Sequence, residues 1–360
     1  MNFPSTGPAV TRLEDAQAQF VGGRGYLAAC TSGLPTLASR AAVIADMDAA
    51  TNGRVDLDAY CLSVEASRAS FASLVGVSAE RVAIGSQSSV AAALVAASLP
   101  QGAEVLIAEG DFSSIVLPFI HAGRGLRVRT APLRDLAGAI DARTHMVVFS
   151  VVQSATGEVA DAAGIVAEAR RHGARTFCDA TQAVGWLPVR ATDFDALVCH
   201  AYKWLCAPRG VAFLTLSDAL AADTPALFAG WYAGADPWAT CYGGDGVLAP
   251  DITRFDVSPA WQAFVGAEPA LALLASVQPD ALYSYTTGLA TRFRAELGLP
   301  EVARPSAIVT WDDPHGDDLR QLAAAGITAS GRAGRARVAF HIFNDVRDVD
   351  TAARAVTQSR

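Results

Sequence analysis

Lysine is all but missing from this chain. Of its 28 basic residues, 27 are arginine, and the single lysine is Lys203 in "CHAYKWLCAPRG", residues 199–210. Arginine supplies positive charge everywhere else, so charge alone does not explain one retained ammonium. An amine differs from a guanidinium in that it can release its proton and attack a carbonyl. Taken alone, the observation leaves a leftover surface lysine and a reactive one equally open. Cysteine is scarce as well. The six (Cys30, Cys61, Cys178, Cys199, Cys206, Cys241) show no C-x-x-C spacing, which argues against a disulfide framework or a zinc site. No apolar run reaches the ~20 residues of a membrane helix. The first twenty residues lack the basic start and apolar centre of a secretory signal, so the expected location is the cytoplasm and no membrane partner is expected. A net charge of -8 with no basic run interleaved by aromatics argues against nucleic acid as a partner.

Apolar residues make up 51% of the chain and charged ones 18%, the balance of a well-buried α/β enzyme. Its 360 residues exceed one comfortable core, which favours a large domain and a smaller one. From residue 81 short β-branched runs ("RVAIGS", "EVLIAEG", "LRVRTAP", "THMVVFSVV", "RTFCDA", "ALVCHAY", "GVAFLTL") alternate with alanine-rich helical stretches. That alternation predicts an α/β fold with a mostly parallel sheet and helices on both faces, and such sheets bind ligands at their strands' carboxyl ends. Beyond it the pattern predicts one long helix from about 260 toward 295, then the strands "SAIVTWDD" and "RARVAFHIF" around a short helix, a small α+β C-terminal domain. The expected division is 26–285 for the large domain, with 1–25 and 286–360 forming the small one.

Asp179 ends the apolar strand "RTFCDA", where packing gives a carboxylate no reason to sit, although a helix N-cap is its other reading. Lys203 follows the strand "ALVCHAY". Two strand ends thus present a carboxylate and an amine to one crevice, the pair a pyridoxal phosphate site needs. In "IGSQSSVAAALVAASL", Gln87, Ser88 and Ser89 stand between a strand and a helix, as a phosphate site or an ordinary serine cap would. "GGRGYLA", residues 22–28, fits a dinucleotide fingerprint in letters, but no strand precedes it. His315 in "WDDPHGDD" reads as part of a solvated turn and not a metal site.

With "GSQSS", "EGDFSS", "VVQSATGEVAD", "DATQAVGW", "HAYKWLCAPRG" and "RARVAFHIFND" in this order, the chain resembles the class V aminotransferase family of fold-type I pyridoxal phosphate enzymes. That group holds cysteine desulfurases, kynureninases and isopenicillin N epimerases. The resemblance runs from about residue 26 to 350 and implies a seven-stranded-type sheet, pyridoxal 5'-phosphate as cofactor, an amino-acid substrate and a homodimer. It makes Lys203 the Schiff-base lysine and Asp179 the partner of the pyridine nitrogen. Phe112 falls on the position that stacks on the ring, and Gln182 and Ser154 beside the phenolic oxygen. Gln87, Ser88, Ser89, His200 and Tyr202 fall at the phosphate, and Trp231 in "FAGWYAG" on a residue reaching a neighbouring subunit's cofactor. Arg337 receives the substrate carboxylate, with Arg335 its rival.

The departures bear on the reaction. The loop that carries the catalytic cysteine in desulfurases, "DDPHGDDLRQLAAAGITASGRAGRAR" here, has none, and Cys206 reads as structural. Phe112 stands where desulfurases have histidine; it can stack but cannot carry protons. The expected activity is lyase-type cleavage of a C–S or C–C bond in the manner of kynureninases, with transamination as the alternative and a catalytically silent cofactor-binding protein as the remote one.

Overall fold

A computed structural model describes residues 10–357. Seven strands form the main sheet: β1 (Val82–Gly85), β2 (Glu104–Ala108), β3 (Arg127–Ala131), β4 (Thr144–Ser150), β5 (Arg175–Asp179), β6 (Ala196–His200) and β7 (Ala212–Leu216), in the order β1-β7-β6-β5-β4-β2-β3. All pairings are parallel except those of β7, which opposes both β6 and β1. Strands β2, β6 and β7 are buried along their whole length, as uninterrupted apolar runs require when helices cover both faces. At the edge, β3 instead exposes Arg127 and Thr130, which guards against edge-to-edge pairing. The covering helices have ordinary stops and starts: Asp56 caps Leu57–Val75 through Ala59 N and Gly76, at φ 70°, ends it.

The expected single helix over 260–295 is two, Trp261–Ser276 and Pro279–Glu296. Pro279 is the cause. It cannot donate an N–H and forces the preceding residue out of the helical region, and Gln278 accordingly has ψ 122°. Residue 285 falls inside the second of these helices.

A second sheet places β10 (Arg335–Ala339) between β8 (Ile308–Asp312) and β9 (Ser330–Arg332), all antiparallel. Residues before the first β-strand join it: Leu27 N donates to Thr328 O and Ala339 N to Leu27 O, both at 2.8 Å. Within the Gly22–Ala28 stretch, only Tyr26 and Ala28 pair in this way, as isolated parallel bridges to Thr328 and Ala339. Leu27, Phe293, Trp311, Val338 and Phe340 form a separate apolar core behind β10.

Candidate active site

The carboxyl ends of β4, β5 and β6 lie side by side, because register pairs Ser150 with Asp179 and Asp179 with Val198. A cavity of about 120 Å³ opens there. Asp179 forms its floor. The carboxylate is buried and its Oδ1 accepts from Thr181 N at 2.7 Å. Burial pushes its pKa up to about 6, against the Thr181 hydrogen bonds and the Lys203 charge, which hold it down. Lys203 is shifted the other way, down to about 8, again by burial, with Asp179 opposing. Near neutral pH the carboxyl is mostly ionised while the amine stands about a unit from releasing its proton, a state suited to attack on a carbonyl.

Phe112 and Tyr202 flank the amine, their ring centroids 5.2 and 5.6 Å from Lys203 Nζ. Phe112 is set by Asp111, a half-buried carboxylate that accepts from Phe112 N, Ser150 N and Ser150 Oγ. Burial raises the Asp111 pKa, and the Ser150 and Phe112 hydrogen bonds lower it. The Lys203 turn is pinned from outside by Gly33, whose N donates to Tyr202 O. A Cβ at position 33 would lie 2.0 Å from Lys203 O, so only glycine allows this approach.

One end of the cavity is built for an anion. The helix Ser88–Ser98 starts there with no side chain capping its first N–H groups, which leaves them and the helix dipole for a ligand. Ser88 Oγ lies 3.3 Å from Thr181 Oγ1, which accepts from His200 N at 3.0 Å. His200 Nε2 is a buried atom with no partner. Burial, and then the Arg209 charge, lower the His200 pKa to about 4, so the imidazole is neutral. Arg209 stacks on Tyr202 with its guanidinium carbon 4.4 Å from the ring centroid. Among the described residues lining the cavity, Arg209 and Lys203 are the cations.

At the other end Gln182 donates to Cys30 O and Ser154 Oγ and accepts from Trp204 Nε1. Ser154 O and Oγ both accept from Arg337, which is 1% exposed. Thr31 Oγ1 and Ser330 Oγ also accept from Arg337. Every acceptor is a neutral oxygen, so this buried guanidinium, whose pKa burial lowers, has no carboxylate bonded to it.

Of the residues expected from sequence, Gln87, Ser88, Phe112, Ser154, Asp179, Gln182, His200, Tyr202 and Lys203 line the cavity, and Arg337 joins it through Ser154. Ser89 lies on the same helix but does not line it. Arg335 turns away to Asp312. Trp231 sits apart from the cavity of its own chain, packed on Tyr232, Trp238 and Trp261 and bonded to Ser258 Oγ. Cys206 is buried, its thiol pushed up to about 12 by burial, which keeps it protonated and unreactive. Sequence reasoning missed Asp111, Thr181 and Arg209. All three stand inside the stretches that carried the other candidates, adjacent to Phe112, two residues after Asp179 and six after Lys203.

The "Aminotransferase class-V" family model matches residues 49–303. The isopenicillin N epimerase of Amycolatopsis lactamdurans is 33% identical over 174 residues, 42% of this chain and 43% of that protein. The uncharacterised aminotransferase YcbU of Bacillus subtilis is 26% identical over 306 residues, 78% of this chain and 79% of its own. The chain thus aligns with only about two fifths of the epimerases' length. Among solved structures, the Escherichia coli cysteine desulfurase CsdA superposes with a TM-score of 0.82 at 20% identity, over 97% of this chain and 98% of that one. The cystine C–S lyase C-DES in complex with cysteine persulfide gives 0.82 at 20%, over 93% and 98%.

Proposed function

The chain belongs to the class V aminotransferase family of pyridoxal phosphate enzymes, and from that premise we propose that it acts at the α-carbon of an amino acid and cleaves a C–S or C–C bond beyond it. The residues fit the cofactor. A neutral His200 with an unpartnered Nε2, an uncapped helix start and Arg209 suit the phosphate, and a buried carboxylate suits the ring nitrogen. Bound pyridoxal phosphate supplies an aldehyde for an amine and a ring that takes up the electrons left when a bond to the α-carbon breaks.

The chain's own residues do the rest. Lys203 would hold the cofactor's aldehyde and would carry the α-proton, for which a pKa near the working pH is suited. Asp179 holds a proton on the ring nitrogen. Gln87, Ser88, Thr181 and His200 offer neutral donors to the phosphate and Arg209 its countercharge. Phe112 covers the ring, and Arg337 takes the substrate carboxylate. Two chains pairing is part of this reading, supported by Leu37, Ile44, Met47 and Leu62, which the helices Leu37–Thr51 and Leu57–Val75 leave exposed. A cytoplasmic location is proposed with it.

The observation that carries the lyase reading is Phe112. Its position over Lys203 is filled by a side chain with no proton to give, so on that face of the amine no second group shares proton movement with Lys203. Transamination competes, because Lys203 serves that chemistry as well. Single-turnover spectra with a panel of amino acids and no keto acid separate the two. Continuous release of pyruvate, alanine or a thiol with the original cofactor spectrum restored is the expected result. One equivalent of keto acid, with the cofactor left in its amine form and turnover halted, would overturn the lyase reading.

Arg337→Lys is expected to lower kcat/KM by roughly 10–150-fold, the worth of a charged hydrogen-bond pair at about 1.5–3 kcal/mol, since an ammonium cannot reproduce the fork. Comparing each amino acid with its decarboxylated amine checks this. Equal reaction of the two by the parent enzyme would show that Arg337 binds no carboxylate.

A further inference from the structure

A second cavity, about 400 Å³, lies beside the small sheet and is larger than the catalytic one. Arg134, Arg294, Arg304 and Arg335 line it, with Glu158 as its one acid. The ion pairs of these arginines leave them available. Arg304 meets Asp161 and Arg335 meets Asp312 with both partners more than a third exposed, and Arg134 reaches Asp135 only at 3.7 Å. Exposed pairs of this kind contribute about 0–1 kcal/mol and yield to a better acceptor. Arg294 bonds only the Pro300 carbonyl, and burial lowers its pKa.

Two observations point to a missing partner. Arg294 Nε and Arg335 Nε are among six buried side-chain atoms in the described residues without a hydrogen-bond acceptor or donor. A buried N–H left unmade costs about 1–3 kcal/mol, and two such groups on one cavity are most simply satisfied by a ligand. The hydroxyls nearby bond elsewhere, Thr310 donating to Thr156 O and Ser306 accepting from Ile308 N, and neither accepts from these two nitrogens. We propose that this cavity binds a small multiply charged anion, a phosphoanion or a di- or tricarboxylate, through Arg294, Arg304 and Arg335.

The cavity also adjoins the substrate end of the active site. Arg335 and Arg337 share a face of β10, and Arg337 pairs in register with Thr310, which lines the cavity. The turn that supplies Ser154 to Arg337 continues as Thr156–Val159, which also lines the cavity. An anion bound here therefore joins the small sheet to the turn that holds the carboxylate-binding arginine.

The test is calorimetric titration of the cofactor-loaded enzyme at low ionic strength with inorganic pyrophosphate and, separately, citrate. One saturable site per chain for at least one of them is expected, and which one binds tells a phosphoanion from a carboxylate. Arg294→Gln and Arg335→Gln should each weaken it at least tenfold without changing the visible spectrum of the bound cofactor. Arg304→Gln, on a half-exposed side chain, should weaken it several-fold. The proposal fails if neither anion gives a saturable heat, or if binding survives Arg304→Gln and the other folded variants unchanged.

Discussion

Asp179→Asn is expected to stabilise the cofactor-free protein above pH 6 while removing its activity. Burial lifts the folded-state pKa of Asp179 from its ordinary 3.8 to about 6. The folded protein therefore holds this proton more tightly than the unfolded chain does. The associated stability is complete below about pH 4 and is lost as pH rises through 6, a difference of roughly 3 kcal/mol for two pK units. Asparagine never ionises and keeps a carbonyl oxygen for Thr181 N, so it escapes that loss. Denaturant melts of the cofactor-free proteins should nearly coincide at about pH 3.5 and diverge at pH 8, with the variant ahead. Coincidence at pH 8 would mean that the carboxylate is not destabilising. In the loaded enzyme the same change removes the anion proposed to face the ring nitrogen, and turnover should fall on the order of 10²–10³-fold, as when a preorganised electrostatic group is lost. Opposite signs in stability and activity are the mark of a site that carries strain for function.

Lys203→Arg is expected to keep the charge and lose the chemistry. A guanidinium does not deprotonate near neutral pH, so the variant cannot bond the cofactor aldehyde, and loss of the proton carrier alone should lower turnover about 10²–10⁴-fold. Lys203→Ala, which leaves no cation at that position, should fail in the same way. Borohydride reduction of the loaded parent should place the added mass on the Lys203 peptide, and no lysine peptide can substitute for it. A label found anywhere but Lys203 or the chain's amino terminus would end the proposal. Because burial lowers the Lys203 pKa to about 8, cofactor capture by the empty protein should accelerate as pH rises from 7 to 9, following the free amine.

Much of this was legible in the sequence because it depends on local pattern. Apolar strands announce themselves, and a carboxylate or amine at a strand end places itself at the ligand-binding edge of a parallel sheet, as Asp179 and Lys203 do. The direction of β7 was not legible, since a buried strand reads the same either way. The break at Val277–Gln278 was written in Pro279, but the apolar periodicity on both sides concealed it. Thr181 and Arg209 gain their roles from neighbours brought by β1 and β6, which are far apart in the chain. Asp111 reads as an ordinary turn residue until Ser150 is seen beside it. Trp231 shows the opposite case, a residue singled out by motif that lies in an aromatic cluster away from its own chain's cavity.

Lys203 is only 5% exposed, and this has a consequence beyond catalysis. With no other lysine in the chain, the folded exterior carries no side-chain ammonium group. Acetyl, methyl and isopeptide-linked tags that enter through lysine therefore have no lysine on the outside of the described residues to attach to. Acylation of Lys203 itself would require an emptied site, so any such adduct would report a molecule that had lost its cofactor.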